Sequence, residues 1–384
     1  MACRRRLSVF PLLLAVCLVP AAGVALYPAA ANASPNCPWL GQSASVDVRA
    51  AEVVAQMTLT EEIGLLGPRW GVTKYENYVP GITRLCIPAL TLQDGPAGVA
   101  AVTGGVTQLP APIALAATWN TGWADAYGQV QATESRGKGI DVVQGPDINL
   151  ARVPEGGRVW EMSGEDPYLT GKMAVADINA IQHQGIMAMA KHYVANDQEA
   201  GRIGLDTRVS DRALRELYLR PFQTAVQDAH VASSMCSYNA VNGPLACQHE
   251  ELLSSVLKGE WGFPGFMRSD LGAVSDTGAA FNAGMDWMKT ADPVGLTAAV
   301  QAGRVRKSRI DDAVHRILRE MFAYGIVDHP LTGTLDDVVT SAPHTATARS
   351  VAEDATVLLK NGGVLPLNAA TVGSIAVIGP DGGT

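Results

Sequence analysis

A TIM-like parallel β/α barrel is the fold this sequence predicts, with an open doubly wound sheet as the alternative. Three observations carry it. Helical and strand-like patterning alternate over roughly 290 residues, the rhythm of β/α units. Short apolar runs end in polar residues: Asp94-Gly95-Pro96, Lys191-His192, Met235 to Tyr238, and Asp270 after Gly265-Phe266-Met267-Arg268-Ser269. The chain has 384 residues, 47% of them hydrophobic and 17% charged, which is enough for a large core. In a ring of parallel strands the polar ends converge on one mouth and surround one small substrate.

The formal charge of −8, with no dense Lys/Arg cluster beyond the N-terminus, argues against a nucleic-acid partner. Carboxylates, basic groups and a tyrosine at strand ends suit a neutral molecule covered in hydroxyls, a sugar above all.

Taken in order, residues 1–33 read as a secretory signal peptide. Arg4-Arg5-Arg6 precede an apolar stretch from Leu7 to about Leu26, and Ala31-Asn32-Ala33 offers a small-x-small cleavage site. The mature chain is expected to begin at Ser34 and to be secreted, extracellular or in the cell envelope. An uncleaved anchor is the alternative, weakened by Pro11, Pro20 and Pro28. Lipidation at Cys17 is weaker still, because Val16 stands where a small residue is expected. Cys3 and Cys17 leave with the signal, so Cys37, Cys86, Cys236 and Cys247 meet an oxidising compartment. Cys236 and Cys247 flank a short turn through Asn242-Gly243-Pro244 and are expected to pair, leaving Cys37 for Cys86; four buried thiols are the alternative. No Cys-x-x-Cys pair and no His-Glu-x-x-His helix supports a zinc site, and no cofactor is expected.

The barrel is expected over 34–328. Val48 to Met57 and Asn120 to Lys138 carry helical patterning, and Ile140-Asp141-Val142-Val143 reads as a strand stopping at Gly145-Pro146-Asp147. Tyr168 to Gln184 reads as helix, Ile186 to Ala190 as strand, Asp211 to Asp228 as helix and Val231 to Cys236 as strand. His249 to Gly259 is helical, Gly265 to Ser269 a strand, Gly272 to Ala283 a helix and Met285 to Met288 a short strand. Helices near Leu296 to Ala302 and Ser308 to Tyr324 complete the region. A linker follows over 329–345, with His329-Pro330-Leu331-Thr332-Gly333-Thr334 as its core. Residues 346–384 then read as the start of a truncated α/β sandwich domain: Thr345 to Asp354 as helix and Ile375-Ala376-Val377-Ile378 as a first strand.

The runs Asp94-Gly95-Pro96-Ala97-Gly98-Val99, Gly157-Arg158 to Glu161 with Gly164-Glu165-Asp166-Pro167, Lys191-His192-Tyr193, Cys236-Ser237-Tyr238-Asn239 and Ser269-Asp270 occur in that order. Together they resemble glycoside hydrolase family three, the family of secreted β-glucosidases and β-xylosidases, over roughly residues 47 to 380. Leu358-Leu359-Lys360-Asn361 to Leu365-Pro366-Leu367 resembles that family's passage from barrel into second domain.

The resemblance implies a retaining double displacement on a small-molecule or oligosaccharide substrate. Asp270 matches the nucleophile and Asp94 the sugar-binding aspartate, whose local alternative is an Asp-Gly-Pro turn. Lys191 and His192 match a donor pair for the same ring, and Arg158 and Arg202 match further basic positions. Arg158 has the alternative of orienting Glu161 or Asp166, and Arg202 of fixing a loop. Tyr238 matches a tyrosine beside the nucleophile, with Met235 packing beneath the sugar. Asp147, Asn149 and Asp286 are expected to be structural.

Three departures stand out. Leu271 replaces the tryptophan usual after the nucleophile, and Arg268 stands where an apolar strand residue is common, with two readings open: a cation added near Asp270, or a side chain pointing outward. No acid/base matches: two-domain members carry a glutamate in the second domain, and single-domain members a loop histidine where this chain reads Asn196 to Arg202, with Glu199 the nearest substitute. The truncated chain is therefore expected to be an impaired hydrolase. The alternatives are a non-hydrolytic sugar-binding barrel and a one-domain N-acetyl-β-hexosaminidase.

Overall fold

Each parallel strand of the sheet is short and almost wholly buried, and each is followed in the chain by helix. The computed structural model describes residues 37–69, 73–100 and 104–379, so the signal expected over 1–33 lies outside the described residues. β1 (Asn77–Val79) runs antiparallel to β2 (Leu90–Asp94), and β3 (Val142–Gln144) and β4 (Met187–Tyr193) follow in parallel. β5 (Asp206–Thr207) leaves the sheet to pair with β7 (Ala240–Val241), while β6 (Ser233–Cys236) and β8 (Phe266–Ser269) continue it, in the order β1-β2-β3-β4-β6-β8.

Two irregular segments close the ring. Trp287 bridges Arg268 in parallel, Met288 N donates to Leu66 O (2.9 Å), and Arg69 N donates to Tyr78 O (2.9 Å). The staves around 285–288 and 65–69 thereby join β8 to β1, completing eight. The parallel ring expected from the sequence is correct except at β1, which is reversed because the connection to β2, a single 3-10 turn at Thr83–Leu85 with its flanks, is too short for a crossover.

The outer layer begins with α1 (Val46–Val54), capped by Ser45, and α2 (Leu59–Leu65), whose Thr58 and Glu61 form a reciprocal capping box. α3 (Pro112–Ala117) and α4 (Thr121–Gly137) lead into β3, and α5 (Pro167–Gln182), capped by Asp166, leads into β4. α6 (Asp211–Ala213), a π turn at Leu214–Tyr218 and α7 (Arg220–Gln227) form one run before β6, and a π helix at Glu251–Glu260 precedes β8. α8 (Thr277–Ala283), α9 (Pro293–Gln301) and α10 (Lys307–Ala323) complete the ring. α10 buries Ile310, Val314, Ile317, Leu318 and Met321, the helical spacing of a core-facing stripe, and packs on α1, where Arg49 meets Asp328 at 2.6 Å. Cys37 is bonded to Cys86 and Cys236 to Cys247, the pairing the sequence predicts.

Residues 329–345 lie along the barrel: Lys138 Nζ donates to Leu335 O (2.7 Å) and the Thr107 and Thr340 hydroxyls meet at 2.7 Å. α11 (Ala342–Ala355) buries Ala348 and Val351 against Leu115, Tyr127 and Val130. The strand expected at Ile375 to Ile378 is not formed; Ile378 is 93% and Leu359 92% exposed. Among the described residues no strand lies beside it to accept its hydrogen bonds, and a lone strand does not hold. Two other expectations shift. α8 starts at Thr277, not Gly272, because Asp276 caps it and Gly272 has φ +70°. β4 runs on through Lys191, His192 and Tyr193, all buried. Among the described residues no helix is long and apolar enough to cross a membrane.

Candidate active site

The C-terminal ends of β2, β4, β6 and β8 carry the side chains singled out in the sequence, and register brings them together. Lys191 pairs with Met235 and Met235 with Arg268, so the last residues of β4, β6 and β8 share one level of the ring. Asp270 follows β8 directly and is 5% exposed. Its Oδ1 accepts from the Leu271 amide (2.6 Å), His192 Nε2 stands 3.5 Å from its Oδ2, and Lys289 Nζ 3.8 Å from its Oδ1. Burial pushes this carboxyl up, but His192, Lys289, the Leu271 amide and Arg268 together outweigh burial and hold it below the ordinary range. It is an ionised oxygen pair in a nearly dry pocket.

Asp94, at the end of β2, keeps its side chain 39% exposed at the mouth while Lys191 Nζ binds its Oδ1 at 2.6 Å. Burial opposes its charge, yet Lys191, Lys289 and Arg158 prevail and hold it at about 2. Lys191 is buried and also lies 3.9 Å from Glu161. His192 is fixed from both sides: its backbone exchanges hydrogen bonds with the Asn149 amide (2.8 and 2.9 Å), and its Nδ1 lies 3.2 Å from Asp147, although out of line for a hydrogen bond. Asp147 and Asn149, expected to be structural, therefore hold the imidazole that faces Asp270.

Arg158 clasps Glu161 with two hydrogen bonds (2.8 and 2.9 Å) and reaches His192 Nε2 at 3.1 Å. It orients Glu161, as the alternative reading held, and it also belongs to the cluster. Arg202 stacks its guanidinium 4.1 Å from the Tyr238 ring centroid and pairs with Glu199. Tyr238 is 7% exposed, and burial, reinforced by the Asp270 carboxylate, raises its hydroxyl well above the ordinary phenol range, so it stays protonated. Met235 is buried in β6 at the same level as Lys191. Leu271 is half exposed, a small apolar surface in place of the tryptophan usual in the family.

Two members were missed in the sequence. Lys289 follows the short Met285 to Met288 segment just as Asp270 follows β8, so the polar-end rule applied there would have found it. Glu76, which binds Lys289 Nζ at 2.6 Å, sits in a stretch without alternation and gave no signal. Arg268 does not point outward. It is fully buried inside the ring, donating to Gln144 Oε1 and Asn77 Oδ1, with Trp287 4.7 Å away.

Comparison with known proteins bears on the family and the fold. The chain matches the family model for the glycosyl hydrolase family 3 N-terminal domain over residues 69–320. It is 39% identical over 362 residues to a probable β-glucosidase L of Emericella nidulans, covering 87% of this chain and 49% of that protein. It is 38% identical over 351 residues to β-glucosidase cel3A of Pyricularia oryzae, covering 87% and 48%. Among solved structures, the β-glucosidase DesR of Streptomyces venezuelae, in complex with D-glucose, superposes with a TM-score of 0.78 at 38% identity, covering 83% of this chain and 43% of that one. β-Glucosidase 3B of Thermotoga neapolitana, in complex with glycerol, gives 0.76 at 31% identity, covering 83% and 48%. The chain spans about half the length of the curated relatives it matches. Fold, ordered motifs and identity together make it a member of glycosyl hydrolase family 3, matched over that family's N-terminal domain.

Proposed function

We propose that this chain carries the sugar-binding and nucleophilic half of a retaining β-glycosidase of β-glucosidase type, acting on terminal sugars. One observation carries the reading: a buried carboxylate, Asp270, is held ionised between His192 and Lys289 at the end of β8, facing the same mouth as Asp94. Such a group can attack an anomeric carbon and form a glycosyl ester, which water then opens. Asp94, ionised and half exposed, accepts hydrogen bonds from adjacent sugar hydroxyls, and Lys191, His192 and Arg158 supply donors around the ring. Tyr238, kept protonated, and Arg202 stacked on it form the wall beside the nucleophile, with Met235 below.

The proton donor for the leaving group comes, in this reading, from sequence outside residues 37–379. Glu199 accepts from Asn196 Nδ2 (3.2 Å) and from Arg202 and lies 3.8 Å from Arg158, contacts that occupy its oxygens in holding neighbouring side chains. The relatives are about twice this chain's length, which leaves room for a second domain that supplies it. Residues 346–384 are read as that domain's beginning, with 34–328 as the barrel and 329–345 as the connection. Secretion is supported by the two disulfides, which need an oxidising compartment. Incubation with 2,4-dinitrophenyl 2-deoxy-2-fluoro-β-glucoside followed by peptide mapping tests the reading: the label is expected on Asp270. A label on another residue overturns it.

A further inference from the structure

Beneath the mouth, inside the ring, lies a chain of polar contacts that binding a sugar does not require. Arg268 donates from one guanidinium nitrogen to Gln144 on β3 and from another to Asn77 on β1, so a single side chain on β8 reaches across the barrel to two other strands. Gln144 passes its amide hydrogen to Glu76 Oε2 (2.7 Å), and Asn77 donates to the Glu76 backbone carbonyl (2.7 Å). Glu76 Oε1 in turn holds Lys289 Nζ at 2.6 Å, and Lys289 stands 3.8 Å from Asp270. The guanidinium is fully buried and no carboxylate forms an ion pair with it among the described residues; its Nε has no hydrogen-bond partner. A buried cation balanced only by neutral amides is costly to hold, so its charge is felt at longer range by the nearest anions.

We propose that Arg268 is a positioning residue for Asp270: from inside the barrel it fixes Lys289 against the nucleophile through Gln144 and Glu76, and its own charge favours the nucleophile's ionised form. The inference rests on the reading of Asp270 as nucleophile but concerns a separate quantity, the pH at which that carboxyl gains its proton.

The groups facing Asp270 are His192 from β4, Tyr238 from the turn after β6, Lys289 beyond the 285–288 stave and Arg268 from β8 itself. Asp94, Lys191, Glu76 and Asp147 lie one contact further out. All except Arg268 are still present when position 268 alone is changed, so a difference traces to its charge or to its hold on Lys289. The sign is fixed: a nearby cation favours carboxylate, so the carboxyl stays ionised down to a lower pH, and removing the cation makes it protonate at a higher one.

The test is carbon-13 NMR of the full chain labelled at the aspartate side-chain carboxyl, with the Asp270 resonance identified by its loss in Asp270→Asn. Arg268→Met is expected to raise the titration midpoint of Asp270 by about one pH unit. Arg268→Gln, which keeps hydrogen bonding to Gln144 and Asn77 without charge, is expected to raise it as well, and Arg268→Lys to leave most of it in place. If the methionine variant does not fold, the glutamine variant decides. An unmoved midpoint in a folded neutral variant overturns the proposal, since a purely structural arginine would alter stability and leave the titration alone. The readout needs no turnover, so it is separate from the labelling of Asp270, whose failure would strike the functional reading instead.

Discussion

Glu199 shows how ion pairing decides what a carboxyl can do. Its oxygens take hydrogen bonds from Asn196 and Arg202, with Arg158 close by, so its contacts hold the arginine that stacks on Tyr238. Glu199→Gln is therefore expected to loosen Arg202 over Tyr238 and to lower kcat/KM for dinitrophenyl and phenyl glucosides by the same modest factor. That loss would fall well short of the roughly 10²–10⁴-fold a general acid supplies, and azide would not restore the rate. A loss confined to the phenyl glucoside, rescued by azide, would make Glu199 the acid. At this scale the sequence was informative wherever a polar residue closed an apolar run, which picked out Asp94, Lys191, His192 and Asp270. It was silent on Glu76, because an acceptor reached only through folding leaves no local pattern. Arg268 was legible as an anomaly, but its direction depended on the pleat of β8, which places it inside the ring.

Between elements, α4 and α5 share the most extensive helix contact among the described residues. At Gly128 an added Cβ would stand 2.6 Å from the Asp177 backbone oxygen and 2.9 Å from Ala180 Cβ, and neither can retreat without moving α5. Gly128→Ala is expected to destabilise the chain by about 1–3 kcal/mol in urea unfolding, despite alanine's better helix propensity. A gain in stability would mean that the helices have room to part. Element boundaries were read best where chemistry marks them: Asp166 with Pro167 opens α5, and Gly145-Pro146 closes β3. They were missed where buried charge continues a strand, as in β4, since Lys191 and His192 look like loop residues until Asp94, Asp147 and Arg158 are beside them. The apolar run 375–378 looked like a strand for the opposite reason: pattern is local, but a strand exists only with a neighbour.

Across the whole molecule, buried carboxyls set how stability varies with pH. Burial raises Asp141 to about 6, Asp177 to about 8, and Asp197 and Glu320 to about 7. Each holds a proton in the folded chain that it has lost in the unfolded one near pH 5, so the stability it contributes is full below its unfolded value of about 4 and disappears as pH climbs through its folded value. Asp94, held at about 2, and Glu61, also at about 2, have finished titrating before this window opens. Glu62, also raised by burial, acts in the same sense as these four, while His249, lowered by burial, acts the other way up to its unfolded value of about 6.5, and Lys258, lowered to about 8, does so only at the top of the window. Melting temperature is therefore expected to fall between pH 5 and pH 8, and Asp177→Asn to flatten the upper part of the slope. A melting temperature that climbs over that range would refute the assignment of protons to these four groups.

The last stave of the barrel closes onto the first. Trp287 Nε1 donates to Leu65 O across 222 residues, and Met288 bonds Leu66 beside it. On the ribosome, the segment carrying Leu65 and Leu66 emerges long before its partner is made. The carbonyls of Leu65 and Leu66 stay without these partners until the 285–288 stave arrives, a delay of about 10 to 45 seconds at ordinary synthesis rates. Closure is thus a late event of high contact order, slow by topology, and the interval before it is when the nascent chain is most exposed to mispairing with its neighbours.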